Sequence, residues 1–121
     1  MILRSRCSKE DRLARLKETG GTIQGEEAVV KSLQWLKATQ NPDGSWDKTH
    51  PVAMTGFAVL AYLGHCETPL SEEYGETVLK GITYLVNNGL KNDGRLTNKD
   101  LGSIQWVYDH GIAAYALAES Y

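Results

Sequence analysis

The chain has 121 residues, of which 41% are hydrophobic and 23% are charged, with 13 Lys and Arg against 15 Asp and Glu. This length suits one domain or a piece of a larger one, and the near-average composition argues against wholesale disorder. The net charge of −2 lacks the basic excess of a protein that binds nucleic acid through its phosphates, so we expect no nucleic-acid partner. Cys7 and Cys66 are too few for a disulfide framework and lack the spacing of a metal site.

The N-terminal segment, residues 1–21, is predicted to be a basic helical arm. Residues 1–17 carry a net charge of +4, which leaves −6 on the rest of the chain. A helix over residues 8–19 should end at Gly20 and Gly21, because glycine tolerates the left-handed conformation that follows a helix. This pattern favours a solvated face or an arm that docks on an acidic partner. With no signal peptide and no apolar run of membrane-spanning length, we expect a soluble chain of unknown localisation.

Four further helices are predicted after this arm. The second, from Thr22 to about Gln40, and the fourth, from about Glu72 to Asn88, place their apolar residues on one stripe. The third, from Pro51 to Gly64, and the fifth, over about 103–121, are apolar nearly all round, which indicates burial on every side. Turn signals precede both apolar helices. The sequence therefore predicts an all-α fold.

The order of one amphipathic helix and one apolar helix occurs twice and forms an internal repeat, over about 22–66 and 67–121. Residues 31–36 align with 80–85, 49 positions later, and residues 55–61 align with 110–116, 55 positions later. Gly56 and Gly111 coincide in this alignment, and small residues there would let a neighbouring helix come close. The repeat predicts αα-hairpins, each with an outer amphipathic helix and an inner apolar one.

A motif in the first repeat is more specific than this periodicity. It runs basic, aromatic, Leu, Gln, Gly and Trp, at Lys31, Trp35, Leu36, Gln40, Gly44 and Trp46. The motif resembles the QW repeat of the squalene–hopene cyclase and prenyltransferase β-subunit superfamily, the terpenoid cyclases. Ser32 replaces the usual Gly, and in the second copy Gly89 and Leu96 replace the Gln and Trp. Most of residues 26–121 carries the resemblance, and residues 108–113 are similar to a variant in uncharacterised bacterial members.

The resemblance implies an α/α toroid, in which five or six hairpins surround a central cavity, and it makes Gln40, Gly44 and Trp46 a structural clamp between hairpins. Two hairpins give an apolar inner helix a neighbour on one side only. Several large apolar side chains left in water would cost many kcal/mol, against a total stability of about 5–15 kcal/mol. We therefore expect the exposed inner-helix face to be covered by the remaining repeats of a longer chain, of which this is a fragment, or by self-association.

The resemblance assigns no catalytic residue, metal or cofactor here, because the Asp-x-Asp-Asp motif of hopene cyclases is missing and the zinc ligands of prenyltransferases are not matched in spacing. Asp109 and His110 are the one polar pair within an apolar helix, and buried ionisable groups need partners. With Trp106 and Tyr108 they are candidate ligand-binding residues for a hydrophobic small molecule. Alternatively, Asp109 caps a helix that begins there, and His110 hydrogen-bonds a carbonyl of the neighbouring hairpin. His65, beside a turn, is expected at the surface.

The function expected from these patterns is that of a scaffold or binding unit, with no catalysis by this chain alone. The alternative is the N-terminal part of a terpenoid-cyclase-like or prenyltransferase-like enzyme whose catalytic residues lie beyond residue 121. A third interpretation is an extracellular or envelope-associated helical toroid that makes protein contacts.

Overall fold

A computed structural model describes residues 7–121, which form five α-helices and no strand. The helices are α1 (Lys9–Thr19), α2 (Ile23–Thr39), α3 (Pro51–Gly64), α4 (Gly75–Lys91) and α5 (Gln105–Ser120). The all-α class is thereby confirmed, and residues 1–6 of the predicted arm lie outside the described residues. Within residues 7–121, no helix combines the length and apolar character needed to cross a membrane.

The helix ends follow local sequence signals, with one correction. Ser8 and Thr22 cap α1 and α2, since their hydroxyls accept hydrogen bonds from the Asp11 and Gly25 amides. Gly20 ends α1 in the left-handed conformation, with φ of 81°. The predicted start of the fourth helix near Glu72 is wrong by three residues, because residues 68–74 form turns, in the first of which the Ser71 amide donates to the Thr68 carbonyl at 2.9 Å.

Two hydrophobic clusters share α3 and α4. The first joins α2 to α3 and α4, and the second joins α3 and α4 to α5, with α3 packing most extensively on α5. Buried members of the first are Leu33, Trp46, Ala58, Tyr62, Tyr74 and Val78, and those of the second are Val52, Val59, Leu85, Leu96, Ala113 and Ala116. Because α3 contributes to both clusters, it is the central element of the core.

Within residues 7–121, neither apolar helix is buried on every side. On α3, Met54 and Phe57 are exposed, although most of the remaining helix is buried. On α5, Val107, Tyr108 and Tyr115 are exposed. The outer helices cover one side of α3 and α5 covers another, and among residues 7–121 the third side has no covering element. The apolar surface of these two helices therefore exceeds what the rest of residues 7–121 buries.

The arm is attached to the end of α3 by covalent and polar contacts that sequence analysis missed. A disulfide joins Cys7 to Cys66. Arg12 Nε lies 2.9 Å from Glu26 Oε1, and the same carboxylate oxygen lies 3.1 Å from His65 Nε2. His65 Nδ1 lies 3.1 Å from Glu67 Oε1. The His65 side chain is only 9% exposed, so its predicted surface position is wrong: one carboxylate lies against each of its ring nitrogens.

Candidate functional site on the apolar helices

Gln40 connects the end of α2 to α4. Its side-chain amide Nε2 donates to the carbonyl oxygens of Gly44 and Thr77, at 3.0 Å each. Gly44 has φ of 92°, and a Cβ at this position would clash with the carbonyl oxygen of Lys80. A side chain is therefore excluded from the turn on two grounds, its backbone conformation and its close approach to α4. Gln40 and Gly44 of the sequence motif are thus in direct contact.

Trp46 fastens the same turn to α3. Its indole Nε1 donates to the Leu36 carbonyl at 2.8 Å, and its backbone amide donates to Thr55 Oγ1 at 3.0 Å. The ring is 5% exposed and lies so close to Gly81 that a Cβ there would be 3.2 Å from it. Trp46 thus contacts α2, α3 and α4 together, which is the geometry of a packing clamp.

Asp109 and His110 hold the segment that precedes α5. Thr97 Oγ1 donates to Asp109 Oδ2 at 3.0 Å, and the Leu96 amide donates to His110 Nδ1 at 3.1 Å. Asp109 is buried, so this hydrogen bond meets the requirement that a buried carboxylate be partnered. Because Nδ1 accepts this hydrogen bond, it carries no proton, and the His110 ring in this arrangement is the tautomer with its proton on Nε2.

The other two candidate ligand-binding residues occupy different surroundings. Tyr108 is exposed, whereas its neighbour Asp109 is buried, because successive residues of a helix point in directions about 100° apart. Trp106 is half-buried. The four side chains at positions 106 and 108–110 therefore do not converge on one cavity wall, and their binding of a ligand remains a prediction.

The two aligned glycines have contrasting environments. A Cβ on Gly56 would lie 2.7 Å from Ile112 Cγ2 and 3.3 Å from the Ala113 amide nitrogen, so the missing side chain creates a notch in which α5 packs. At Gly111 no atom of residues 7–121, beyond its own helix backbone and chain neighbours, lies within 4 Å of such a Cβ. A helix therefore lies close to Gly56, whereas no helix of residues 7–121 lies opposite Gly111.

An apolar groove of about 540 Å³ runs along the uncovered side of α3. Phe57 and Trp35 are its most exposed large side chains, at 52% and 65%. The remaining lining residues are Leu36, Thr39, Trp46, Asp47, Met54, Ala58 and Ala61. This groove, together with the open side of α5 around Gly111, forms the candidate functional site, because both are apolar surfaces on the helices whose other sides form the core.

One acidic group stands at the edge of the groove. The backbone amides of His50 and Lys48 donate to the Asp47 carboxylate and hold its pKa below the usual value, the His50 bond being 2.9 Å long. Asp47 is therefore ionised at neutral pH and marks a polar rim.

Within residues 7–121, no group of three or more His, Cys, Asp and Glu side chains is placed to hold a metal ion.

Several residues of these contacts were not found from the sequence. Thr55, Thr77 and Thr97 supply a hydroxyl or a carbonyl that links one segment to the next. The alignment gave a signal for Thr55, because this residue is the equivalent of His110. The Thr55 side chain accepts from the Trp46 amide, and the His110 side chain accepts from the amide of the aligned residue Leu96. The residue types differ, so the shared role is visible only in the coordinates.

Comparisons with known proteins identify no relative. No protein-family model matches the chain, and neither the curated proteins nor the solved structures contain a significant match.

Proposed function

We propose that the chain is a helical repeat module, built as part of an α/α toroid, that works as a scaffold or binding unit for apolar helices. The observation that carries this proposal is the apolar groove on α3, which leaves Phe57 half exposed on the most buried helix of the protein. Exposed apolar surface next to a core is typical of a protein-interaction site.

The shape and chemistry of the groove favour a helix as its occupant. Its floor is the side of α3 that carries Met54, Phe57 and Ala61, with Trp35 beside it. Side chains at positions i, i+3 and i+7 form a stripe along one side of a helix, which matches the stripe of an amphipathic or apolar helix laid against it. Asp47 supplies the polar rim that surrounds the apolar centre of many interfaces.

A labelled helical peptide tests this function directly. The probe is a synthetic peptide of residues 103–121 with added C-terminal lysines for solubility, and the measurement is fluorescence anisotropy with the full chain. We expect saturable binding that is weakened at least about tenfold by Phe57→Glu, a common size for a central interface residue. The matched control is Leu70→Glu, because Leu70 is fully exposed and lies outside the groove. Binding that does not saturate, or that is equal in Phe57→Glu, would contradict the proposal.

The enzyme-related alternative is supported by the aromatic lining of the same groove. Trp35, Trp46 and Phe57 present surfaces that suit an isoprenoid chain. As the N-terminal part of a terpenoid-cyclase-like or prenyltransferase-like enzyme, the chain would hold a hydrophobic small molecule here without supplying catalytic groups. Titration with farnesol, followed by tryptophan fluorescence, tests this function. A saturable change that is lost in Phe57→Glu would favour it, and an unchanged spectrum would count against it.

A further inference from the structure

The interface between α3 and α5 provides a template for what covers the uncovered faces. Residues 55–61 of α3 align with residues 110–116 of α5, so each α3 residue has an equivalent 55 positions later. The side of α3 that packs on α5 can therefore be compared, residue by residue, with the same side of α5.

The α5-facing side of α3 is closed, and its equivalent on α5 is open. Val52 is 1% exposed, whereas its equivalent Val107 is 50% exposed. Gly56 is buried under Ile112, whereas Gly111 is exposed. Within residues 7–121, α5 thus carries the residues of a helix interface, including the notch, without a helix on it.

The opposite sides of the two helices show the reverse relation. Asp109 and Ala116 of α5 are buried, whereas the equivalent residues of α3, Met54 and Ala61, are exposed. Phe57 belongs to this open side and is the equivalent of Ile112, the residue that occupies the notch at Gly56. One helix therefore has an unfilled notch at Gly111, and the other has an unburied side chain, Phe57, at the position that fills a notch.

From this complementarity, and resting on the proposed function, we infer that a second copy of the chain covers the open side of α5. Its α3 packs there as α5 packs on α3 within one chain, with Phe57 of the second copy over Gly111 of the first. The contact continues an interface that already exists in the fold. It is heterologous, because two different surfaces meet, so each added copy leaves one notch and one Phe57 free.

Sedimentation velocity of the full chain over a concentration series tests this inference. We expect species larger than a dimer, since a head-to-tail contact propagates until it closes into a ring. Gly111→Glu fills the notch with a charged side chain, and Phe57→Glu removes the apolar side chain that fills it. Each variant should weaken self-association at least about tenfold. Leu70→Glu, at an exposed loop position, should associate like the parent chain.

Mixing the two variants gives the decisive measurement. Gly111→Glu retains an intact α3 face and Phe57→Glu retains an intact α5 face, so an equimolar mixture should form a dimer of one copy of each and stop there. A symmetric contact between identical faces would give no such recovery. A monomeric parent chain, or a mixture without a one-to-one dimer, would overturn the inference.

Controls separate loss of association from loss of folding. Gly111 is open, so Gly111→Glu should keep the circular dichroism and thermal midpoint of the isolated chain, because Glu has a higher helix propensity than Gly. Gly111→Ala provides a milder variant at the same notch. Peptide binding in the groove without self-association of the chain would overturn the second-copy inference alone, whereas failure of both measurements would overturn the proposed function as well.

Discussion

The turns that follow α2 and α4 occupy aligned positions but are secured very differently. After α2, Gln40 and Trp46 connect the turn to three helices. After α4, the aligned residues are Gly89 and Leu96. The side chain of Leu96 is buried, and only apolar contacts hold it in place. What the two turns share is one backbone hydrogen bond to the following apolar helix, from Trp46 to Thr55 and from Leu96 to His110.

This difference follows from what each turn has beside it. The first turn lies against α4, so a glutamine there finds the Thr77 carbonyl and a glycine meets the Lys80 backbone. At the second turn, a Cβ on Gly94 would have no atom of residues 7–121 within 4 Å apart from its chain neighbours. A clamp of this kind stabilises a turn only where a neighbouring element supplies its polar partners. The second turn is instead connected to the first half of the chain by the apolar packing of Leu96 and by a hydrogen bond from Lys99 Nζ to the Thr49 carbonyl.

The largest expected effect comes from truncating the clamp. Trp46→Ala should lower the free energy of unfolding by about 3–5 kcal/mol, because it removes a buried ring and leaves the Leu36 carbonyl without its indole donor. Leu96→Ala should cost about 2–3 kcal/mol. Urea denaturation followed by circular dichroism measures both values. Equal losses would break the comparison, since they would show that the two turns are equally well secured.

The aligned glycines should respond with opposite signs. Gly56→Ala places a Cβ against Ile112 and should destabilise the fold by about 1–3 kcal/mol. Gly111→Ala adds a methyl group to open space in a helix and should stabilise the isolated chain by up to about 1 kcal/mol. Thermal unfolding at low protein concentration compares them. Destabilisation by Gly111→Ala under those conditions would mean that a helix packs on this side even in the monomer.

The hydrogen bonds of Gln40 should contribute less than the Trp46 ring. Gln40→Ala leaves two carbonyl groups, of Gly44 and Thr77, without their donor and should cost about 1–2 kcal/mol. Gln34→Ala, an exposed position on the same helix, is the matched control and should change stability by less than about 0.5 kcal/mol. If the two substitutions had the same effect in urea denaturation, the hydrogen bonds of Gln40 would not stabilise the contact between α2 and α4.

The smallest expected effect is a dependence of stability on acidic pH, at the contact between α1 and the end of α3. Burial acts to raise the pKa of Glu26, but hydrogen bonds from Arg12 and His65 outweigh it and leave the pKa below its ordinary value of 4.5. A lowered folded pKa stabilises the protein above the unfolded pKa, and this contribution is lost as the pH falls through the folded pKa.

Glu26→Gln should therefore reduce stability by about 1 kcal/mol at pH 7, and the difference from the parent chain should disappear as the pH falls below the folded pKa of Glu26. Urea midpoints at a series of pH values measure this effect. A constant difference across the series would show that the carboxylate charge is not what stabilises the contact. The aligned end of the second half has Gly75 in place of Glu26, so no counterpart of this pH dependence is expected there.

The fold class and most helix bounds could be predicted because they depend on local signals. Turn residues and caps set the ends of α1 and α2, and continuous apolar segments located α3 and α5. The start of the fourth helix was predicted three residues too early, because residues 68–74 include good helix formers. These residues form turns, and only their backbone hydrogen bonds distinguish them from a helix.

The candidate site was predictable in part. Gln40 donates to the Gly44 carbonyl and Trp46 donates to the Leu36 carbonyl, and these partners lie only 4 and 10 positions apart in the chain, within reach of a local motif. The partners of Asp109 and His110 were not identified, because Thr97 and the Leu96 amide reach them across the loop between α4 and α5, whose length differs from that of the loop between α2 and α3. Cys7 and Cys66 are 59 residues apart, and no local pattern brings them together.

The sequence by itself determined which segments are helical and which of their residues are apolar, since these properties depend on neighbours along the chain. Only the tertiary structure decided which apolar residues are covered: Gly56 and Gly111 are equivalent in sequence, yet one receives a helix and the other lies open. Burial depends on what packs against a surface from elsewhere in the chain, and that information is not contained in the local pattern of either glycine.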